Sequence, residues 1–357
     1  MRIGFDGKRA VQNFTGLGNY SRYVADILCH FYPENDYVLY APKKRENKRM
    51  NLLTGQYRQL TLAYPATSFW KKLSSLWRVW GITSQLEKEG IELFHGLSNE
   101  LPLNIHKSRI KSIVTIHDLI FLRYPQYYQS IDRKIYTYKF RKACENADKI
   151  IAISECTKRD IIRYFNIPDD KIEVVYQGCD VSFTHPVTEE KKEEVRKKYQ
   201  LPDHYILNVG SIEERKNILA AVQALPMLPQ HIHIVIVGRR TGYTEKVEQF
   251  IKDNGLGERV HIISNVPFND LPAFYQSAEI FVYPSRFEGF GIPIIEALYS
   301  GIPVVAATGS CLEEAGGPDS IYVNPDDITG LADAFKQIYS NSDKRKNMVE
   351  KGREFAK

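Results

Sequence analysis

Four short runs in this 357-residue sequence carry side chains whose types and spacing could do chemistry. The richest is Ser285-Arg286-Phe287-Glu288-Gly289-Phe290-Gly291-Ile292-Pro293-Ile294-Ile295-Glu296-Ala297-Leu298. Pro293 suits the first turn of a helix, and Gly301 with Pro303 suits its end. Gly289 and Gly291 then precede that helix, where bare N–H groups can face an anion. Glu288 falls on the loop and Glu296 about one turn inside the helix. Two carboxylates flanking such a loop can hold sugar hydroxyls on either side of a diphosphate. A second run, Val209-Gly210-Ser211-Ile212-Glu213-Glu214-Arg215-Lys216-Asn217, offers two adjacent cations that can neutralise a diphosphate. A third, Thr115-Ile116-His117-Asp118-Leu119, ends a strand-like run, where ligands bind in open α/β sheets. The fourth is Thr15-Gly16-Leu17-Gly18-Asn19-Tyr20. Its glycines open a helix expected over 19–31. Ser21 stands where a dinucleotide fingerprint needs its third glycine, and the glycines come too late after the strand. A nicotinamide-type cofactor is therefore not expected.

These runs need a scaffold of strands ending in loops. Short β-branched runs alternate with amphipathic stretches: 2–6, 37–40, 91–95, 111–116, 149–153 and 171–176, then 205–209, 231–237, 260–263, 280–283 and 303–306. Alternation of this kind means βαβ units and parallel sheets. A break near 178–204 contains the highly charged stretch 189–199, read as a solvated helix. The length allows two domains, and the break divides them into 1–180 and 181–357. The first holds 28 lysines and arginines against 19 acids and the second 20 against 24, so a basic half precedes a mildly acidic one. That excess is too dilute for nucleic-acid binding and fits an anionic substrate or a membrane surface better. The five cysteines are widely spaced and form no C-x-x-C, so five reduced thiols are expected. The start, Met1 to Asp6, carries no signal pattern, and a cytoplasmic location is expected.

The run from Ser285 to Leu298 resembles the E-x7-E signature of retaining glycosyltransferases of the GT-B fold, family 4. The other runs fit the same pattern in the same order. So do Ala152-Ile153-Ser154-Glu155 and Asp270-Leu271-Pro272-Ala273-Phe274-Tyr275, and the resemblance covers nearly the whole chain. It implies two doubly wound, Rossmann-like parallel-sheet domains facing each other across a cleft, the first for the acceptor and the second for the donor. Carried over residue by residue, it implies that Gly16 and Gly18 line the donor phosphate and that Arg215 and Lys216, beside Gly210, bind the diphosphate. Glu296 would hold the ribose hydroxyls and Glu288 the donor sugar. The backbone of Gly289, Phe290 and Gly291 would touch sugar or phosphate, and Val266, Pro267 and Gly238 would flank the base. His117 would meet the transferred sugar near the bond being broken. In two respects the sequence departs from the pattern. Ser211 stands where some relatives have an arginine, leaving the charge to Arg215 and Lys216. Relatives also usually send a C-terminal helix back onto the first domain, whereas this sequence stops at Phe355-Ala356-Lys357, so a truncated chain is expected.

The expected reaction moves a hexose from a nucleotide-diphosphate sugar, GDP-mannose as the first candidate, to a glycan or lipid-linked glycan in cell-surface polysaccharide synthesis. No D-x-D occurs to hold a metal on the diphosphate. Fixed charge at Arg215 and Lys216 and helix N-termini is the expected substitute, with no metal and no further cofactor. Domain closure would bring acceptor to donor and exclude water. The alternatives are a non-enzymatic nucleotide-sugar binder and a sugar-nucleotide epimerase of the same fold. All three tryptophans, Trp70, Trp77 and Trp80, lie in one segment. On a continuous helix Trp70, Leu73, Trp77 and Trp80 share a face, with Lys71, Lys72 and Arg78 opposite. Two readings follow: a peripheral membrane contact of an interfacial helix, or a core-facing helix with solvated cations.

Overall fold

The computed structural model describes residues 1–13 and 16–357. Thr15, first residue of the glycine-bearing run, lies outside the described residues. The chain divides into two compact units, Met1–Tyr176 and Gln177–Lys357, against a division after residue 180 read from the sequence.

The first unit is a seven-stranded sheet: β1 (Arg2–Asp6), β2 (Asp36–Tyr40), β3 (Leu60–Ala63), β4 (Leu93–Gly96), β5 (Lys111–Ile116), β6 (Lys149–Ala152) and β7 (Ile172–Val174), in the order β3-β2-β1-β4-β5-β6-β7. The second is six-stranded: β8 (Tyr205–Val209), β9 (His233–Val237), β10 (Val260–Ile263), β11 (Ile280–Tyr283), β12 (Val304–Ala307) and β13 (Ile321–Val323), in the order β10-β9-β8-β11-β12-β13. Every pairing is parallel. Parallel sheets are covered by helices on both faces, which is why β11 and β12 are buried at every residue. In each sheet the strand order reverses once, between β1 and β4 and between β8 and β11. Loops leaving the carboxyl ends of such strands form the ligand crevice of a doubly wound sheet. The glycine-bearing helix follows β1, and the Arg-Lys and two-acid runs follow β8 and β11.

The helix Gly16–Phe31 starts earlier than expected, so its glycines belong to its first turn. The stretch 189–199 is the expected charged helix, capped by Thr188, whose hydroxyl accepts from the Lys191 amide. Four cysteines are buried, Cys179 is half-buried, and all five are free thiols.

The tryptophan segment departs from one amphipathic helix. The helix Ser68–Lys72 breaks at Leu73, a short turn covers Ser74–Leu76, and Trp77–Gly81 forms a π-helical turn leading into the helix Ile82–Lys88. The break and the wider turn rotate Trp77 into the core, where its indole N–H donates to Gln85 Oε1 at 3.1 Å. Trp70 lies against Gly81, where a Cβ would come within 2.6 Å of its ring. Arg78 is not solvated: it pairs with Asp6 and, at 2.8 Å, with Glu100, its side chain 10% exposed. Phe69, Leu73, Leu76 and Trp80 remain exposed. Neither sequence reading describes the whole segment: the core takes Trp77 and Arg78, and solvent keeps an apolar remainder. No helix among the described residues is long and apolar enough to cross a membrane.

Candidate active site

In the second unit the two-acid run and the Arg-Lys run meet because β8 and β11 are hydrogen-bonded neighbours. Glu288 is the hub. Its Oε2 pairs with Arg215 at 2.9 Å and its Oε1 with Lys216 Nζ at 3.1 Å. Oε1 also accepts from Ser285 Oγ at 2.9 Å and Tyr283 OH at 3.2 Å. Lys216 donates to Tyr283 OH at 2.9 Å and sits over that ring. Burial works against the Glu288 carboxylate, but Lys216 and Arg215 outweigh it and hold its pKa at about 2. Burial likewise opposes the Lys216 charge, yet the adjoining Glu288 raises its pKa above the usual lysine value. The Tyr283 phenol is pushed up to about 12 by burial and by Glu288. At neutral pH the cluster therefore holds two cations around the Glu288 carboxylate, and Glu213 is a second partner of Arg215 at 3.7 Å.

Backbone geometry sets this cluster. Asn217, in the left-handed region at φ 54°, closes the turn after Lys216, and its amide donates to the carbonyls of Pro284 and Pro325 at 3.3 and 2.8 Å. The Arg286 amide donates to the Arg215 carbonyl at 2.9 Å. Arg215 also reaches the Phe287 carbonyl. Gly291 caps the helix Ile292–Ser300 at φ 117°, a conformation that favours glycine. Beneath the loop, the buried Cys311 thiol lies 3.0 Å from the Glu288 carbonyl and 3.1 Å from that of Phe290.

Glu296 lies in the helix Ile292–Ser300, apart from the hub. Its Oε2 accepts from Tyr275 OH at 2.6 Å. Burial pushes its pKa up to about 7, with Tyr275 pulling it down and Asp180 adding to the rise. Gly238, after β9, closes on the neighbouring loop so tightly that a Cβ would lie 1.7 Å from the Gly210 carbonyl oxygen. Ser264 Oγ donates to the Gly238 carbonyl at 2.7 Å, which brings the segment holding half-buried Val266 and exposed Pro267 beside it.

In the first unit His117 follows β5 and is buried. Its Nε2 is 2.9 Å from the Leu97 carbonyl, which can only accept, so the proton sits on Nε2. Burial pushes its pKa down to about 4, so the ring is neutral. Asn99, at φ 64°, accepts from the His117 amide at 2.7 Å and seats it. Tyr20 packs edge-on against the His117 ring at 4.7 Å, and its hydroxyl is 3.1 Å from Thr115 Oγ1. Gly16 is exposed at its helix start, whereas Gly18 is buried with a packing reason: a Cβ there would lie 2.0 Å from the Asn13 carbonyl oxygen.

Comparison with known proteins agrees on both halves. Residues 21–183 match the family model Glycosyltransferase Family 4, and 189–355 match Glycosyl transferases group 1. The chain belongs to the GT-B glycosyltransferases of the family 4 type. The chain is 31% identical over 246 residues to O-antigen chain mannosyltransferase B of Escherichia coli, covering 67% of this chain and 63% of that protein. It is 29% identical over 225 residues to O-antigen chain mannosyltransferase RfbU of Salmonella typhimurium, covering 63% and 60% respectively. The matches thus span about three fifths of these curated relatives. Sucrose-phosphate synthase from Thermosynechococcus elongatus superposes with a TM-score of 0.78 at 20% identity, over all of this chain and 94% of that one. Anabaena HepE in complex with UDP gives 0.77 at 18% identity, again over 100% and 94%.

Several residues that hold these side chains, in one unit or the other, carry no role in the sequence reading. Tyr283 and Ser285 hold Glu288, Asn217 ties the Arg-Lys turn to the loop after β11, Cys311 lies under that loop, and Asn99 seats His117. Ser285, Asn217 and Tyr275 stood inside quoted motifs without a role. Tyr283 and Asn217 stand at the ends of continuous apolar runs, where an unpartnered polar group would be costly, whereas Cys311 and Asn99 carry no such local signal.

Proposed function

We propose that this glycosyltransferase moves mannose from GDP-mannose, with retention, to a glycan or lipid-linked glycan acceptor in cell-surface polysaccharide synthesis. The observation that carries the reading is the Glu288 hub with its two cations after β8 and β11. A departing nucleoside diphosphate needs positive charge held in place before it forms. Arg215 and Lys216 supply it, and their pairing with Glu288 keeps them from collapsing elsewhere. Glu288 and the loop Gly289–Gly291 hold the sugar, Glu296 the ribose hydroxyls, and Gly238, Val266 and Pro267 flank the base. His117 is neutral, so it acts on the transferred sugar as a hydrogen-bond partner and not as a proton donor. The first unit takes the acceptor. The choice of mannose and of a surface-polysaccharide acceptor is supported by the O-antigen mannosyltransferase relatives.

The test is a thermal-shift series with GDP-mannose, UDP-glucose and UDP-N-acetylglucosamine, followed by product analysis of the new anomeric centre. A melting rise with GDP-mannose alone and an α-linked product support the reading. No rise with any of the three overturns it.

The same proposal includes a peripheral membrane contact through the exposed Phe69, Leu73, Leu76 and Trp80 with Lys71 and Lys72 beside them. Apolar side chains interleaved with cations suit an anionic lipid surface. Only the exposed Trp80 and half-buried Trp70 would report on it, since Trp77 is sealed in the core. Absence of co-sedimentation with anionic vesicles at low salt overturns this part.

A further inference from the structure

The run Asp270 to Tyr275 belongs to the ordered motif set, yet the function above leaves it without a task. Its last residue is the one that reaches the site. Tyr275 ends a buried stretch of the helix Leu271–Ser277. Its ring stacks on Phe281 of β11 at 5.3 Å and 27°, and Phe183 packs edge-on against it at 5.3 Å and 84°. The ring is fully buried and cannot turn without displacing both neighbours. Its hydroxyl is thereby aimed at one atom, Glu296 Oε2, at 2.6 Å.

The direction of this bond is fixed. Burial and the Glu296 charge push the Tyr275 phenol well above its ordinary value, so it keeps its proton and donates. It occupies one carboxylate oxygen and leaves Oε1 for a ligand. A carboxylate accepts from hydroxyls, whereas a carboxylic acid gives up much of that capacity. Glu296 titrates at about 7, driven up by burial, so the tyrosine bond acts on a group that is close to gaining a proton. Among the described residues, the groups that act on it come from two other elements. Tyr275 comes from the helix Leu271–Ser277, and Asp180 and the neutral Cys179 thiol come from the segment before Val181–Phe183. Arg353 of the last helix reaches the Ser300 carbonyl at the far end of the Glu296 helix.

We propose that Tyr275 is a positioning residue for donor binding, its hydroxyl holding Glu296 as a carboxylate aimed at the hydroxyls of the nucleotide's ribose. The proposal rests on the reading of Glu296 as the ribose acceptor. Nucleotide affinity then rises with pH as Glu296 loses its proton. Removing the tyrosine hydroxyl moves that rise to higher pH and leaves the step after binding untouched.

The experiment titrates GDP-mannose and UDP-glucose, whose diphosphates carry no proton that titrates in this range, into wild type, Tyr275→Phe, Glu296→Gln and the double variant, between about pH 6 and about pH 9, by calorimetry. A lost hydrogen bond to a charged group predicts about tenfold weaker binding for Tyr275→Phe at neutral pH, with partial recovery at the alkaline end. Turnover at saturating donor stays within about twofold, so the change appears in KM and not in kcat. In Glu296→Gln affinity is weak and flat with pH, and adding Tyr275→Phe weakens it less than about twofold further, because the two act through one bond. If Glu296→Gln is impaired while Tyr275→Phe matches wild type in affinity and pH midpoint, the role of Tyr275 is overturned and that of Glu296 stands. If Glu296→Gln binds like wild type, the reading of Glu296 fails and this proposal falls with it. Should Tyr275→Phe not fold, the wild-type profile decides: a flat affinity overturns the proposal, and a rise centred near neutrality supports it.

Discussion

Glu288→Gln is the most informative single substitution. In the free protein both cations of the Arg-Lys run are occupied by this one carboxylate, at 2.9 and 3.1 Å. The amide keeps the size of the side chain and one acceptor oxygen, but it removes the negative charge and turns an N–H group toward a cation. Removing one partner of a buried pair costs about 3–5 kcal/mol. Side-chain exposures of 13–16% across the three residues place this site toward the lower end. For a unit of this size each kcal/mol lowers the melting temperature by about 2–4 °C, so a loss of about 6–12 °C is expected at neutral pH. The same vacancy should favour a phosphate. A nucleoside diphosphate now meets Arg215 and Lys216 without the Glu288 charge, although Arg215 keeps its pairing with Glu213 at 3.7 Å, so GDP or UDP should bind more tightly than to wild type, while turnover falls. At a hundredfold excess over Kd the ligand restores about 2.7 kcal/mol, most of the loss. The pH dependence has a definite sign. Glu288 is held at about 2, below its unfolded value, so its stabilisation is full above that unfolded value and fades as pH falls toward about 2. The difference between wild type and variant should therefore shrink below about pH 4. Scanning calorimetry with and without nucleotide reads all of this. A variant that melts within about 2 °C of wild type and gains no more from nucleotide than wild type does would refute the reasoning.

Three further outcomes follow from the same structure. Glu296→Gln should stabilise the second unit by about 1–2 kcal/mol above neutrality while weakening nucleotide binding, because a carboxyl raised to about 7 loses its contribution as pH rises through that value; melting at about pH 8 against about pH 5 checks it. Arg78→Met should destabilise the first unit by about 3–5 kcal/mol by stranding Asp6, and the penalty should ease in acid as Asp6 takes up a proton; denaturant unfolding at two pH values reads it. Gly238→Ala should abolish nucleotide binding with the fold retained by circular dichroism, since its Cβ would collide with the Gly210 carbonyl and push the two loops apart.

The strands that carry the site were legible because both of their faces are buried. Lys111–Ile116, Tyr205–Val209 and Ile280–Tyr283 stand where the apolar runs put them. Of the four outer strands, β7 and β10 were legible in the sequence, whereas β3 and β13, short and only partly buried, were missed. The site's residue types were legible from their motifs, but not their pairing. Arg215 and Lys216 lie some seventy positions from Glu288, and only the β8–β11 neighbourhood brings the three into one ion-paired cluster. Arg78 shows the limit most sharply. A uniform 100° per residue places it with Lys71 and Lys72 on a wet face. One break at Leu73 and one π-helical turn are enough to exchange its place with solvent-facing side chains. The physical reason for that turn lies 72 residues away in Asp6, the last residue of β1, a buried carboxylate that needs a cation. A charged residue set between two tryptophans, in a segment with no acid of its own, is the local trace of that need. Periodicity assumes that a helix chooses its face by apolar content alone; here a distant buried charge chose it instead.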